Sequence, residues 1–167
     1  ATIQEIKLLN YPISKDKPGD LVELINQSIN NYGLIQSGIR ASDKKLEANH
    51  LVKFTSGSKY YELNFNGDLV VPFIWESGDG ISVEKQFILK QGNYNIRLEQ
   101  IVRNDSNQEW RGAQYSQLVR RVNKDDRSMF DVESFSFDGP IIFNGEKSDK
   151  VDPSDLLEEG PLKFSAS

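Results

Sequence analysis

Within residues 69–102, LVVPFIWESGDGISVEKQFILKQGNYNIRLEQIV, the order of apolar and polar side chains decides the backbone. In ISVEKQFILK, Ile81, Val83, Phe87 and Leu89 fall on every second residue with Ser82, Glu84, Gln86 and Lys90 between them. That is the period of a strand with one buried face. On a helix the same residues would scatter around the axis and bury nothing together. Asp79-Gly80 separates this run from the one ending at Trp75, and Asp-Gly is a preferred centre for a tight hairpin whose two central residues take positive φ. Gln91-Gly92-Asn93 supplies a second reversal. Beyond it Tyr94, Ile96, Leu98 and Gln100 alternate with Asn95, Arg97, Glu99 and Ile101. A third strand therefore returns antiparallel beside the second, with Tyr94, Ile96 and Leu98 as its inner face, and the core of the chain is a β-meander.

The rest of the chain reads around that meander. Residues 2–9 alternate loosely and end at Asn10-Tyr11-Pro12, a strand closed by a turn, followed by a solvated loop over 15–20. Residues 21–32 fit helical spacing at Leu21, Ile25, Ile29 and Tyr32 and strand pairing at Leu21-Val22 and Leu24-Ile25; strand is the reading adopted. Further strands are expected at 34–39, 51–55, 60–65 and 110–122, with a polar turn at 103–109. Residues 123–127 form a solvated excursion, and 130–143 read as two short strands around Asp138-Gly139-Pro140. One helix start stands out: Asp152 at the N-cap, Pro153 at the first helical position and Gly160 at the stop. Closely spaced β-rich runs with turn residues between them indicate an all-β, antiparallel β-sandwich with one short helix near the C-terminus. The whole of 1–167 is expected to be a single β-sandwich domain.

Composition narrows the function more than it identifies one. A chain of 167 residues can bury roughly 70% of the surface its unfolded form exposes, enough for one domain without a staple. No apolar run approaches the roughly 20 residues of a spanning helix, and the opening ATIQEIKLL lacks the basic start of a secretory signal. Twenty Lys and Arg against 25 Asp and Glu leave a net charge of −5 with no long block of either sign, which argues against nucleic acid. Cysteine is absent, so disulfides, thiolate metal sites and thiol catalysis are excluded together.

The search for chemistry yields no catalytic, cofactor or metal residues. His50 is the only histidine, too few for a two-histidine metal site, and reads as structural. The carboxylates sit in turn contexts such as Asp79, Asp105 and Asp125, where an Asp side chain serves its own backbone. Neither 123–128 nor 148–155 carries the alternating oxygen ligands of a calcium loop. Gly78-Asp79-Gly80 opens no helix and cannot cradle phosphate as a P-loop does. Asn26-Gln27-Ser28 and Asn104-Asp105-Ser106 match the glycan acceptor triplet. As contact residues for a ligand or partner, Trp75 and Trp110 are candidates for stacking, on a sugar for instance, although core packing is the commoner use of such rings. Arg120-Arg121 is a candidate partner contact at a strand end.

Val71-Pro72, a glycine-containing turn, Lys85-Gln86-Phe87-Ile88-Leu89-Lys90-Gln91-Gly92-Asn93-Tyr94 and then Val102-Arg103-Asn104 occur in that order. This run resembles the large periplasmic domain of the YidC membrane-protein insertase family of Gram-negative bacteria, with its VP, K-x-F-x-L-x-x-G-x-Y and V-x-N. Leu8-Leu9-Asn10-Tyr11-Pro12 is similar to the family's early Leu-rich strand, Gly33 to Gly38 to its next strand, and Asp138-Gly139-Pro140 through Asp155 to its bend and charged loop. The resemblance implies a β-supersandwich of the architecture of sugar-binding and mutarotase-like domains, truncated here at both ends: an anchor, a linker and a first strand before Ala1, and further strands, a helix and the membrane core after Ser167. It implies a non-catalytic module at the periplasmic face of the inner membrane, without cofactor, whose partners are Sec-translocon auxiliary subunits and nascent membrane proteins. The family's insertion groove contributes no residue to this stretch. The rival expectation is a free-standing carbohydrate-binding sandwich using Trp75 or Trp110. A mutarotase-like enzyme is weaker still, because His50 stands without the further histidine and glutamate pattern such chemistry needs.

Overall fold

The structure is a computed structural model that describes residues 1–29, 32–64, 67–121, 137, 139–143 and 145–163. Contacts divide the chain into a first unit, Ala1–Val119, and a second, Arg120–Ser167. In chain order the strands are β1 (Thr2–Ile3), β2 (Ile6–Ser14), β3 (Lys17–Ile25), β4 (Gly33–Ala41), β5 (Asp68–Glu76), β6 (Ile81–Lys90), β7 (Ile96–Asn104), β8 (Gly112–Arg120), β9 (Ile141–Phe143) and β10 (Ser148–Lys150), followed by α1 (Pro153–Glu159). They form the sheets β1-β4-β8, β2-β3, β5-β6-β7 and β9-β10. The architecture is the all-β, antiparallel one expected, with one short α-helix among the described residues.

The meander is the most regular part. Its pairing lines up four rows across one face: Trp75–Val83–Val102, Phe73–Lys85–Gln100, Val71–Phe87–Leu98 and Leu69–Leu89–Ile96. Side chains opposite one another on antiparallel strands touch, so each row packs as a unit. Against this face lies the β1-β4-β8 sheet, whose Ile39 joins Ala48 and Val83 in a buried cluster that Phe54, Trp75, Val102 and Trp110 cover. Ile81 and Val83 are almost completely buried, as their alternation requires. The inner face of β7 starts at Ile96 and continues through Leu98 to Gln100 and Val102. Tyr94 precedes the strand, stands exposed, and meets Tyr11 edge to face at 5.8 Å.

The reversal before β6 falls where Asp79-Gly80 places it but takes a different form. No described non-glycine residue has positive φ, so Asp79 cannot occupy the mirror-image turn. Gly78 (φ 84°) and Gly80 (φ 85°) carry the left-handed steps on either side of it. Ser77 Oγ accepts from the N–H groups of Asp79 (3.0 Å) and Ile81 (3.2 Å), closing a wider loop.

Other differences trace to local bonding. β2 runs through Asn10-Tyr11-Pro12 instead of turning there, and the register with β3 shifts between Leu8 and Pro12 because proline has no N–H for the ladder. The chain reverses only at Lys15-Asp16, so Lys17 to Asp20 belong to β3 and not to a loop. The strand reading of 21–32 holds as far as Ile25. The strand expected at 51–55 is reduced to one bridge, Thr55 to Ile74, and none forms over the described part of 60–65. Ser56 Oγ instead donates to the Pro72 carbonyl (2.8 Å) and Ser58 Oγ to the Tyr60 carbonyl (2.8 Å). Short hydroxyl side chains that bond nearby backbone compete with a ladder.

In the second unit β9 pairs with β10. β10 lies in the stretch read as a charged loop. The helix agrees with its signals: Asp152 Oδ1 accepts from the Ser154 N–H (2.8 Å), Pro153 stands at the start, and the Gly160 N–H donates to the Leu156 carbonyl (3.2 Å). The excursion at 123–127 and the first strand of 130–143 lie outside the described residues.

Candidate functional site

Both tryptophans are half-buried against the same cluster of Ile39, Ala48 and Val83. Trp75 belongs to the first row of the meander face, and Trp110 Nε1 donates to the Leu46 carbonyl at 3.4 Å. The fold thus brings together two candidates 35 residues apart in the chain, as lids on one core cluster. Arg120 ends β8 and Arg121 follows it, and both side chains are exposed.

His50 has a defined structural setting. The Tyr115 hydroxyl accepts from the His50 N–H (2.9 Å) and lies 2.6 Å from His50 Nδ1, to which it can give its own proton. The Arg40 guanidinium stands 5.4 Å from the centroid of the Tyr115 ring. Among the described residues no three His, Cys, Asp or Glu side chains gather as a metal site. The two glycan-like triplets share one geometry: Asn26 Oδ1 accepts from the Ser28 N–H and hydroxyl, and Asn104 Oδ1 does the same for Ser106. Each asparagine side chain serves a local turn.

The first unit carries a trough of about 450 Å³ on the meander face. Val71, Phe73, Phe87, Leu89 and Ile96 of the meander line it together with the 1–7 segment, Glu5 and Lys7 included. Phe73 and Phe87 meet edge to face at 5.9 Å. At the rim Lys7 pairs with Glu23 (2.7 Å) and approaches Glu5 (3.8 Å). The hydrogen bond with Glu23 raises the Lys7 pKa, and that with Lys7 lowers the pKa of Glu23. A trough with this mainly apolar lining can receive an apolar chain. In the second unit a groove of about 500 Å³ lies among Pro140, Ile142, Val151, Leu156, Pro161 and Leu162.

Sequence reasoning passed over Lys85, the lysine of the K-x-F-x-L motif. It is in phase with Ile81, Val83, Phe87 and Leu89 and is fully buried, and burial pushes its ammonium down to about 8. The signal was its position in the alternation, one lysine on the apolar beat.

The order of motifs on this framework agrees with one family. The model described as the YidC periplasmic domain matches residues 1–167. The chain belongs to the YidC periplasmic-domain family. It is 33% identical over 159 residues to the membrane protein insertase YidC of Nitrosococcus oceani, covering 94% of this chain and 28% of the relative. The YidC insertase of Methylococcus capsulatus is 34% identical over 119 residues, 71% of this chain and 22% of its own, and that of Legionella pneumophila (strain Paris) 33% over 141 residues, 80% and 25%. The chain spans about a quarter of the length of these curated relatives. No solved structure matches it. As a YidC periplasmic domain it belongs at the periplasmic face of the bacterial inner membrane, and no helix among the described residues is long and apolar enough to cross a membrane.

Proposed function

We propose that this chain is a non-catalytic periplasmic module of an inner-membrane protein insertase and chaperone, and that it assists insertion and folding by contacting Sec-translocon auxiliary subunits or emerging membrane-protein segments. The observation that carries this reading is the match of all 167 residues to the YidC periplasmic domain. The meander trough supports it, because its mainly apolar lining suits an extended apolar segment. So does the two-stranded β2-β3 sheet, whose outer edges offer backbone groups to an added strand.

Deletion of the equivalent segment from the full-length parent is the test. Basic insertion of a substrate membrane protein stays largely intact, while co-purification of the Sec auxiliary subunits and cross-linking to substrate fall. Complete loss of insertion with a correctly folded membrane core would overturn the reading.

A further inference from the structure

Lys85 interrupts the apolar face of β6 and has no exposed surface. Its Nζ donates to the Ser37 carbonyl of β4 (2.7 Å) and to the Ala1 carbonyl (3.3 Å), and stands 4.6 Å from the centroid of the Phe54 ring. An ammonium has three protons and accepts nothing, so two carbonyls and a ring face can use all three. No carboxylate among the described residues lies within ion-pair distance.

The surroundings hold little that could neutralise it. Beyond the Ser37 carbonyl, the segment before β1 presents the Ala1 carbonyl, the irregular segment before β5 presents Phe54, and β5 and β7 present Phe73 and Gln100 as cross-strand neighbours. Neither amide atom of Gln100 has a hydrogen-bond partner. Glu84 alternates onto the other face, where it accepts from Gln86 and lies 3.9 Å from Arg103. Among the described residues these neighbours place no titratable side chain beside Lys85.

We infer that Lys85 is a buried ammonium without a counter-ion among the described residues, which fastens the meander to β4 while charged at an electrostatic cost, so that losing its proton makes the first unit more stable. Carbonyl dipoles and a ring face compensate a buried charge less fully than a carboxylate does. The direction follows from proton counting. Burial holds Lys85 at about 8 in the folded chain against 10.5 ordinarily. Below pH 8 both folded and unfolded chains carry the charge, and folding bears the full cost of burying it. Between pH 8 and 10.5 the unfolded chain binds more protons than the folded one, so stability rises with pH, and above that the contribution levels off.

The experiment compares urea unfolding of the wild-type chain and Lys85→Met from pH 8 to 10.5 at constant salt. Tyrosines and the other lysines titrate in both proteins and cancel in the difference. The folding constant of the wild type gains at least about tenfold on that of the variant across the window. Parallel curves would overturn the inference. Should Lys85→Met not fold, an NMR titration of the lysine Cε and Hε signals in the wild type decides it: one lysine titrates well below the rest and is absent from the spectrum of Lys85→Gln. A Lys85 that titrates with the surface lysines refutes the proposal.

Discussion

At the scale of single residues the fold relies on a few polar contacts at long sequence separation. Tyr115 bonds His50 across 65 residues, and Gly38 lies beneath that hydroxyl, where an added Cβ would come within 2.8 Å of both Tyr115 Oη and Asn49 Cα. Removing the hydroxyl leaves a half-buried N–H and ring nitrogen without their partner, so Tyr115→Phe lowers stability by about 1–3 kcal/mol. The urea midpoint should fall with its slope unchanged. Gly38→Ala is destabilising through overpacking, by about 1–3 kcal/mol on the same measurement. Gln100 presents the opposite case: a buried amide with no partner gains nothing from its polarity. Replacement by methionine of similar length is therefore neutral or stabilising by about 1 kcal/mol, and a marked loss would show that the amide is bonded. His50 was legible as the single histidine of the chain. Its partner was not, since nothing local to residue 50 points to residue 115.

At the scale of elements, legibility follows how local the deciding force is. Strands β5 to β7 were readable because a period of two, bounded by glycine turns, specifies both conformation and face. Helix α1 was readable because its cap, proline and stop lie within nine residues. Asp152→Ala removes that cap, so the Ser154 amide loses hydrogen-exchange protection and the far-UV helical signal declines while the strands persist. The Ser154 hydroxyl, and then its N–H, hold the Asp152 carboxyl below its usual range. The cap is thus at full strength above the ordinary carboxylate range and is lost only as pH falls through the lowered value. Segment 51–64 misled because its β-forming residues find no neighbouring edge beyond Thr55, and Ser56 and Ser58 bond backbone instead. In the cluster between sheets, Ile39→Ala opens a cavity beside Val83 and costs about 2–5 kcal/mol in the same unfolding measurement, whereas an exposed position such as Leu51 tolerates alanine.

At the scale of the whole molecule, charge governs solubility. The chain carries a net −5 at pH 7 and has an isoelectric point of about 5.0, so its solubility passes through a minimum near pH 5, measurable by light scattering against pH. A minimum near neutrality would show that apolar surface, not net charge, controls association. By itself the sequence determined the β class, the meander with its face, the helix and the family, because alternation, turn chemistry and motif order are written within short windows. Tertiary structure alone decided that Trp75 and Trp110 cover one cluster, that Tyr115 holds His50, and that Lys85 on the apolar beat of β6 goes inside to two backbone carbonyls. Those outcomes depend on which strand lies over which, and on where a charge finds dipoles once water is gone. Pairing between residues far apart in the chain leaves no local period to read.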